Sequence, residues 1–134
     1  MRLIEYATAY IALMVLAKKD FPFSISYELV KLKRRILPKV EYYTEQEHAL
    51  IKRYAQLDEN GNPIIHDGQF TCHGDTVEEQ IANTQEYERL HRELDMVEDH
   101  EVIERIMLKL PGSLEVRPET LEALAPFIEF EVAQ

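Results

Sequence analysis

Apolar positions recur along this chain with two periods, one helical and one alternating. Leu3, Ala7, Tyr10, Met14 and Ala17 fall at helical spacing and predict a buried first helix, which Asp20-Phe-Pro-Phe-Ser24 ends. A second stripe runs Ile25, Leu29, Leu32, Ile36, Val40, Tyr43, Glu47, Leu50, Tyr54 and Leu57. Its nine steps average about 3.56 residues, between straight-helix and coiled-coil spacing. The stripe predicts one long helix over residues 24–57, kinked at Pro38, or two abutting helices divided there. Such a helix is roughly 50 Å long, more than so small a domain can wrap on all sides.

The turn signal Asp58-Glu-Asn-Gly-Asn-Pro63 stops this helix. Asp67-Gly68, set between apolar residues, predicts a tight hairpin in which Ile65 faces Phe70 and Ile64 faces Thr71. Thr76-Val-Glu-Glu79 is a capping box opening a third helix, with Val77, Ile81, Thr84, Tyr87, Leu90, Leu94 and Val97 as its stripe. That stripe steps by about 3.3 residues and therefore drifts around the helix. Residues 99–110 alternate more than they cycle, which favours a strand over a continuation of the third helix, with Val102, Ile106, Leu108 and Leu110 inward. Pro111-Gly112-Ser113 breaks the chain, and Pro118 opens a last short helix over 119–127. The sum is an α+β fold, predominantly α. A long kinked helix packs with two or three others in one domain, residues 1–134, with a small β-hairpin inserted at about 62–73.

Composition narrows the class. With 134 residues and 46 % hydrophobic content the chain is long enough for one globular core. No run reaches the ~18 apolar residues of a spanning helix. Residues 7–17 could pass for an export signal, but Glu5 interrupts them on one side, Lys18, Lys19 and Asp20 follow directly, and no small-x-small site precedes polar residues. A single cysteine excludes a disulfide framework and, with that segment read as a helix, points to a cytoplasmic setting. The net charge of −10 is uneven: residues 1–57 carry +4 and residues 58–134 carry −14.

Candidate chemistry is thin. Glu45/His48 and Glu88/His91 match the Glu-x-x-His pairs of di-iron bundles. Helical geometry turns Glu45 and His48 roughly 170° and 130° from the apolar stripe, toward solvent rather than a bundle interior. His66, Cys72 and His73 lack the convergent spacing of a zinc site. No nucleophile elbow and no phosphate-cradling glycine loop occurs among four glycines. The expectation is a protein that is not an enzyme, with no cofactor and no metal. Lys31, Lys33, Arg34, Arg35 and Lys39 form one basic cluster, but a chain at −10 is a poor ligand for nucleic acid.

Residue order adds a resemblance. It is carried by an apolar first helix, Phe21-Pro22-x4-Tyr27-x-Leu29, a long charged helix ending Ile51-x2-Tyr54, and the Asp58–Pro63 turn. The second half adds a capped third helix, an alternating stretch to Leu110, and Leu114-Glu-Val116-x-Pro118-x2-Leu121-x2-Leu124-x-Pro126. Taken together, nearly the whole chain resembles a family of short uncharacterised proteins of phages and prophages of Gram-positive bacteria, from which Pro38 is a departure. The resemblance implies a viral context and a small non-enzymatic role, and it transfers no catalytic residue. The expected function is a protein-interaction module with an assembly or accessory role, contacting a phage or host protein or a second copy of itself. The residues expected to bind the partner are Leu29, Leu32, Ile36, Lys31, Arg34, Arg35, Glu78, Glu79 and Glu86. The alternative is an anti-defence inhibitor whose acidic half blocks a nucleic-acid-binding surface of a host protein.

Overall fold

A computed structural model describes residues 1–132. The elements in chain order are α1 (Leu3–Ala17), α2 (Phe23–Tyr54), β1 (Ile65–His66), β2 (Gln69–Phe70), α3 (Val77–Asp95), β3 (Ile106–Leu110), α4 (Pro118–Leu124) and β4 (Ile128–Val132). Helix dominates, as the apolar periods require, and the fold is α+β. Where the sequence reads as one domain, the chain packs into two compact units. The first joins residues 1–41 to the chain from Glu98 onward, and the second is residues 42–97.

The first unit holds most of the buried apolar residues. Tyr6, Leu13 and Leu16 of α1, Leu29, Leu32 and Ile36 of α2, and Leu108, Leu110, Leu124, Phe127 and Ile128 are all buried. The Tyr6 and Phe127 rings lie 5.6 Å apart. α1 buries Leu3, Tyr6, Ala9, Leu13 and Leu16, whereas Ala7, Tyr10, Met14 and Ala17 of the expected stripe stay partly or fully exposed. The physical reason is that α1 is apolar on nearly every side, so spacing alone does not fix which face turns inward.

β3 and β4 pair in parallel, from Ile106↔Ile128 to Leu110↔Val132, and α4 lies on the crossover that parallel strands need. Pro118 is at the start of α4, where its missing N–H costs nothing. That helix stops at Leu124 rather than at residue 127, and Phe127 is buried just ahead of β4. β4 is the element the pattern reading misses, although Ile128-Glu-Phe-Glu-Val132 alternates cleanly. The strand before it is shorter than expected: only Ile106–Leu110 is β, and Val102 is exposed rather than inward.

α2 is a single helix that continues through Pro38, where the Arg34 carbonyl has no N–H to accept from. In the second unit α2 ends at Tyr54, because Ala55, Gln56 and Leu57 leave the helix to pair with the residues flanking the hairpin, Ala55 with Cys72 and Leu57 with Pro63. The Gln56 N–H donates to the Thr71 carbonyl (2.8 Å), and the Gln56 carbonyl accepts from the Ile64 N–H (2.9 Å). Ile64 therefore does not face Thr71, since Gln56 runs between them. Ile65 does pair with Phe70, across a turn in which Asp67 (φ 53°) and Gly68 (φ 75°) both take positive φ. Thr76 caps α3 by accepting from the Glu79 N–H at 3.1 Å.

Candidate interaction surface

The inward stripe of α2 behaves as its spacing dictates, with Leu29, Leu32, Ile36, Val40, Tyr43 and Tyr54 buried. Leu29, Leu32 and Ile36 are therefore core, not the surplus stripe expected to meet a partner. A different face of α2 is the unpartnered one. Phe23, Tyr27 and Val30 follow one another at i, i+4 and i+7, with Arg34 completing the row, and are 95 %, 61 % and 42 % exposed. At 100° per residue this row lies roughly 140° around the helix from the buried stripe. The first half of α2 thus carries two apolar faces, one packed and one in water. A shallow apolar depression of about 150 Å³ adjoins it, lined by Leu13, Met14, Phe21, Leu29, Val30 and Lys33.

Sequence reasoning misses this row because it follows one stripe per helix and reads Phe23 as part of the helix stop. The signal was available: three large apolar residues at helical spacing, none of them in the inward stripe.

The cations of this half of α2 are engaged unequally. Lys31 bonds Glu28 at 2.9 Å and lies 4.9 Å from the centre of the Tyr27 ring. Arg35 pairs with Glu101 at 3.1 Å. Lys39 bonds both Asp99 and Glu101. Burial opposes the Lys39 charge, but the hydrogen bonds to the two carboxylates outweigh it and hold the ammonium above its usual pKa. Hydrogen bonds from Lys39 in turn keep Asp99 and Glu101 below the usual carboxylate range. Lys33 and Arg34 make no ion pair among the described residues.

On α3 the expected stripe splits. Leu94 is buried and Tyr87 and Leu90 half-buried, but Val77 and Ile81 are exposed and Thr84 is in solvent with them. The drift of the stripe is the reason: its first half has rotated away from the packed side by the time Tyr87 is reached. Among the expected acidic contacts, Glu79 is used locally, its carboxylate accepting from the Asp75 N–H at 2.8 Å. Glu86 is gripped by Arg89 at 2.5 Å, and that hydrogen bond lowers its pKa. Glu78 and Glu88 are exposed and make no ion pair among the described residues.

The histidine motifs come apart. Glu45, His48 and Glu88 are exposed, whereas His91 points to a different acid, its Nε2 bonding Glu47 at 2.8 Å. His91 Nδ1 also lies 3.6 Å from Asp95, which accepts a hydrogen bond from the Tyr43 hydroxyl. Burial first, and then this bond, pushes the Tyr43 hydroxyl well above the ordinary tyrosine range. The cluster ties the second half of α2 to α3. Its sequence signal was Glu47, the one charged residue in the inward stripe. Cys72 is buried, while His66 and His73 are exposed, and His73 contacts the Arg53 carbonyl. Among the described residues no three His, Cys, Asp or Glu side chains are grouped to hold a metal ion. Nor is any helix there long and apolar enough to cross a membrane.

No family model, no curated protein and no solved structure matches the chain.

Proposed function

We propose that this chain is a non-catalytic, phage-encoded protein-interaction module that works in the host cytoplasm and docks through the outer face of α2. The observation that carries the reading is the exposed row Phe23, Tyr27, Val30 on a helix whose opposite face is already packed. Buried aromatics dominate interface energetics, each removing ~150–250 Å² from water. Anchors at i, i+4 and i+7 are the spacing by which a helix is read in a partner's groove. The viral setting rests on the resemblance in residue order.

The test places a photo-crosslinking residue at position 27 in cells producing the protein during phage infection. The expected result is one crosslinked species, lost when Phe23 is replaced by Ser. Absence of any crosslink, or one indifferent to Phe23→Ser, overturns the reading.

A second reading, inhibition of a nucleic-acid-handling host protein, is favoured by charge. The second unit carries 4 Lys/Arg against 12 Asp/Glu, and Glu78 and Glu88 stand exposed and unpaired among the described residues. Binding to such a basic target weakens steeply as salt rises. Binding insensitive to salt counts against it.

A further inference from the structure

We infer that the outer row of α2 is covered by a second copy of this chain, which presents the outer row of its own α3. The inference rests on the interaction-module reading and names the partner of that same surface. The two rows match in spacing and oppose in charge. Phe23, Tyr27, Val30 and Arg34 occupy i, i+4, i+7 and i+11 of α2, and Val77, Ile81, Thr84 and Glu88 occupy the same four positions of α3. Laid parallel, the rows set Phe23 against Val77, Tyr27 against Ile81, Val30 against Thr84 and Arg34 against Glu88. The two rings meet the smaller Val77 and Ile81, and Val30 meets Thr84 of similar size.

The charges agree with this. Arg34 in the first row and Glu88 in the second have no ion-pair partner among the described residues. A contact between copies supplies the pair that the single chain leaves unmade. The depression lined by Leu13, Phe21 and Val30 adjoins the first row and gives an apolar anchor somewhere to enter.

Because the two patches are unlike and every chain carries one of each, the two halves of the contact can be removed separately. This gives a diagnostic experiment. One variant combines Phe23→Ser with Tyr27→Ser; the other combines Val77→Ser with Ile81→Ser. All four side chains are exposed, and circular dichroism checks that both variants keep the helix content of the parent. Mass is read by light scattering after size exclusion, at protein concentrations up to about 1 mM, the range of weak association. The parent is expected to gain mass with concentration, each variant to stay monomeric, and an equimolar mixture of the two to form a one-to-one dimer that grows no further.

Charge exchange is the second arm. Arg34→Glu is expected to weaken association about ten-fold, and adding Glu88→Arg to the same chain to restore it. A parent that stays monomeric throughout overturns the inference, as does assembly that survives in either serine variant. If the parent is monomeric while position 27 crosslinks another protein and Phe23→Ser abolishes it, self-pairing fails and the interaction-module reading stands. If neither association nor crosslink occurs, both fail.

Discussion

Tyr43 is a core residue with a hydroxyl, and its partner Asp95 makes that hydroxyl matter to stability. Tyr43→Phe leaves the ring packing in place and removes the donor, at a cost of about 1–2 kcal/mol measured by urea unfolding. The same contact fixes a pH dependence. Burial and the Asp95 bond raise the tyrosine pKa, so the stabilisation is complete below the unfolded value near 10 and is lost as pH rises through the folded one. The stability gap between the parent and Tyr43→Phe should therefore shrink between pH 9 and about pH 11, whereas a constant gap removes the argument. Lys39 works at the other end of the scale. Asp99 and Glu101 titrate below their ordinary range because of it, so their contribution is present above about pH 4 and lost on acidification. Lys39→Met should cost about 1 kcal/mol at pH 7, discounted because Glu101 is half in water, and less at pH 3. Unfolding of both proteins at the two pH values decides it.

Among the elements, α2 shows where periodicity suffices and where it fails. Its inward stripe from Leu29 to Tyr54 is legible because apolar residues alternate with charged ones around the helix, so only one phase buries them. α1 offers no such contrast, and its inward face was settled by packing rather than by spacing. The last three residues of the expected second helix went to strand pairing, since Gln56 satisfies both Ile64 and Thr71, a long-range choice no local propensity reports. β4 was legible in its alternation, but a helix start at Pro118 drew the reading past it. Of the candidate surface, the cations and acids were visible in the sequence. The outer row of Phe23, Tyr27 and Val30 was present as spacing too, but a single inward stripe per helix leaves it out, and only the packing of the opposite face shows that it stands in water. Pro38 supplies the prediction at this scale. It is exposed, its neighbours are helical, and it withholds one N–H from the Arg34 carbonyl. Pro38→Ala should raise stability by about 1–3 kcal/mol, seen as a higher Tm, and an unchanged Tm would mean that the helix is already relaxed around the ring. Gly74→Ala should act in the opposite sense. A Cβ there would sit 2.6 Å from the Gln80 backbone nitrogen at the start of α3, and the clash costs about 1–3 kcal/mol in the same melt.

For the whole molecule, the linear charge split of +4 and −14 is not the split the fold makes. Because the chain from Glu98 onward joins residues 1–41, the first unit carries 11 Lys/Arg against 13 Asp/Glu and the second carries 4 against 12. Balances of −2 and −8 leave the second unit with most of the self-repulsion. It also holds little of the core, since Tyr43, Tyr54, Ala55, Cys72 and Leu94 are buried there, while the first unit buries α1, the first half of α2 and the β3–β4 pair. Hydrophobic burial sets how strongly a region resists opening, and like charge subtracts from it. Native-state hydrogen exchange in rising urea should therefore show α3 amides exchanging through a sub-global opening, with α1, β3 and β4 exchanging only on global unfolding. Added salt should close part of that difference by screening the acidic unit. If the β3 and β4 amides open first, the distribution of core and charge is not what orders the stability of the two units. If α3 protection rises with protein concentration, the self-pairing that uses its outer row is stabilising the weaker unit by mass action.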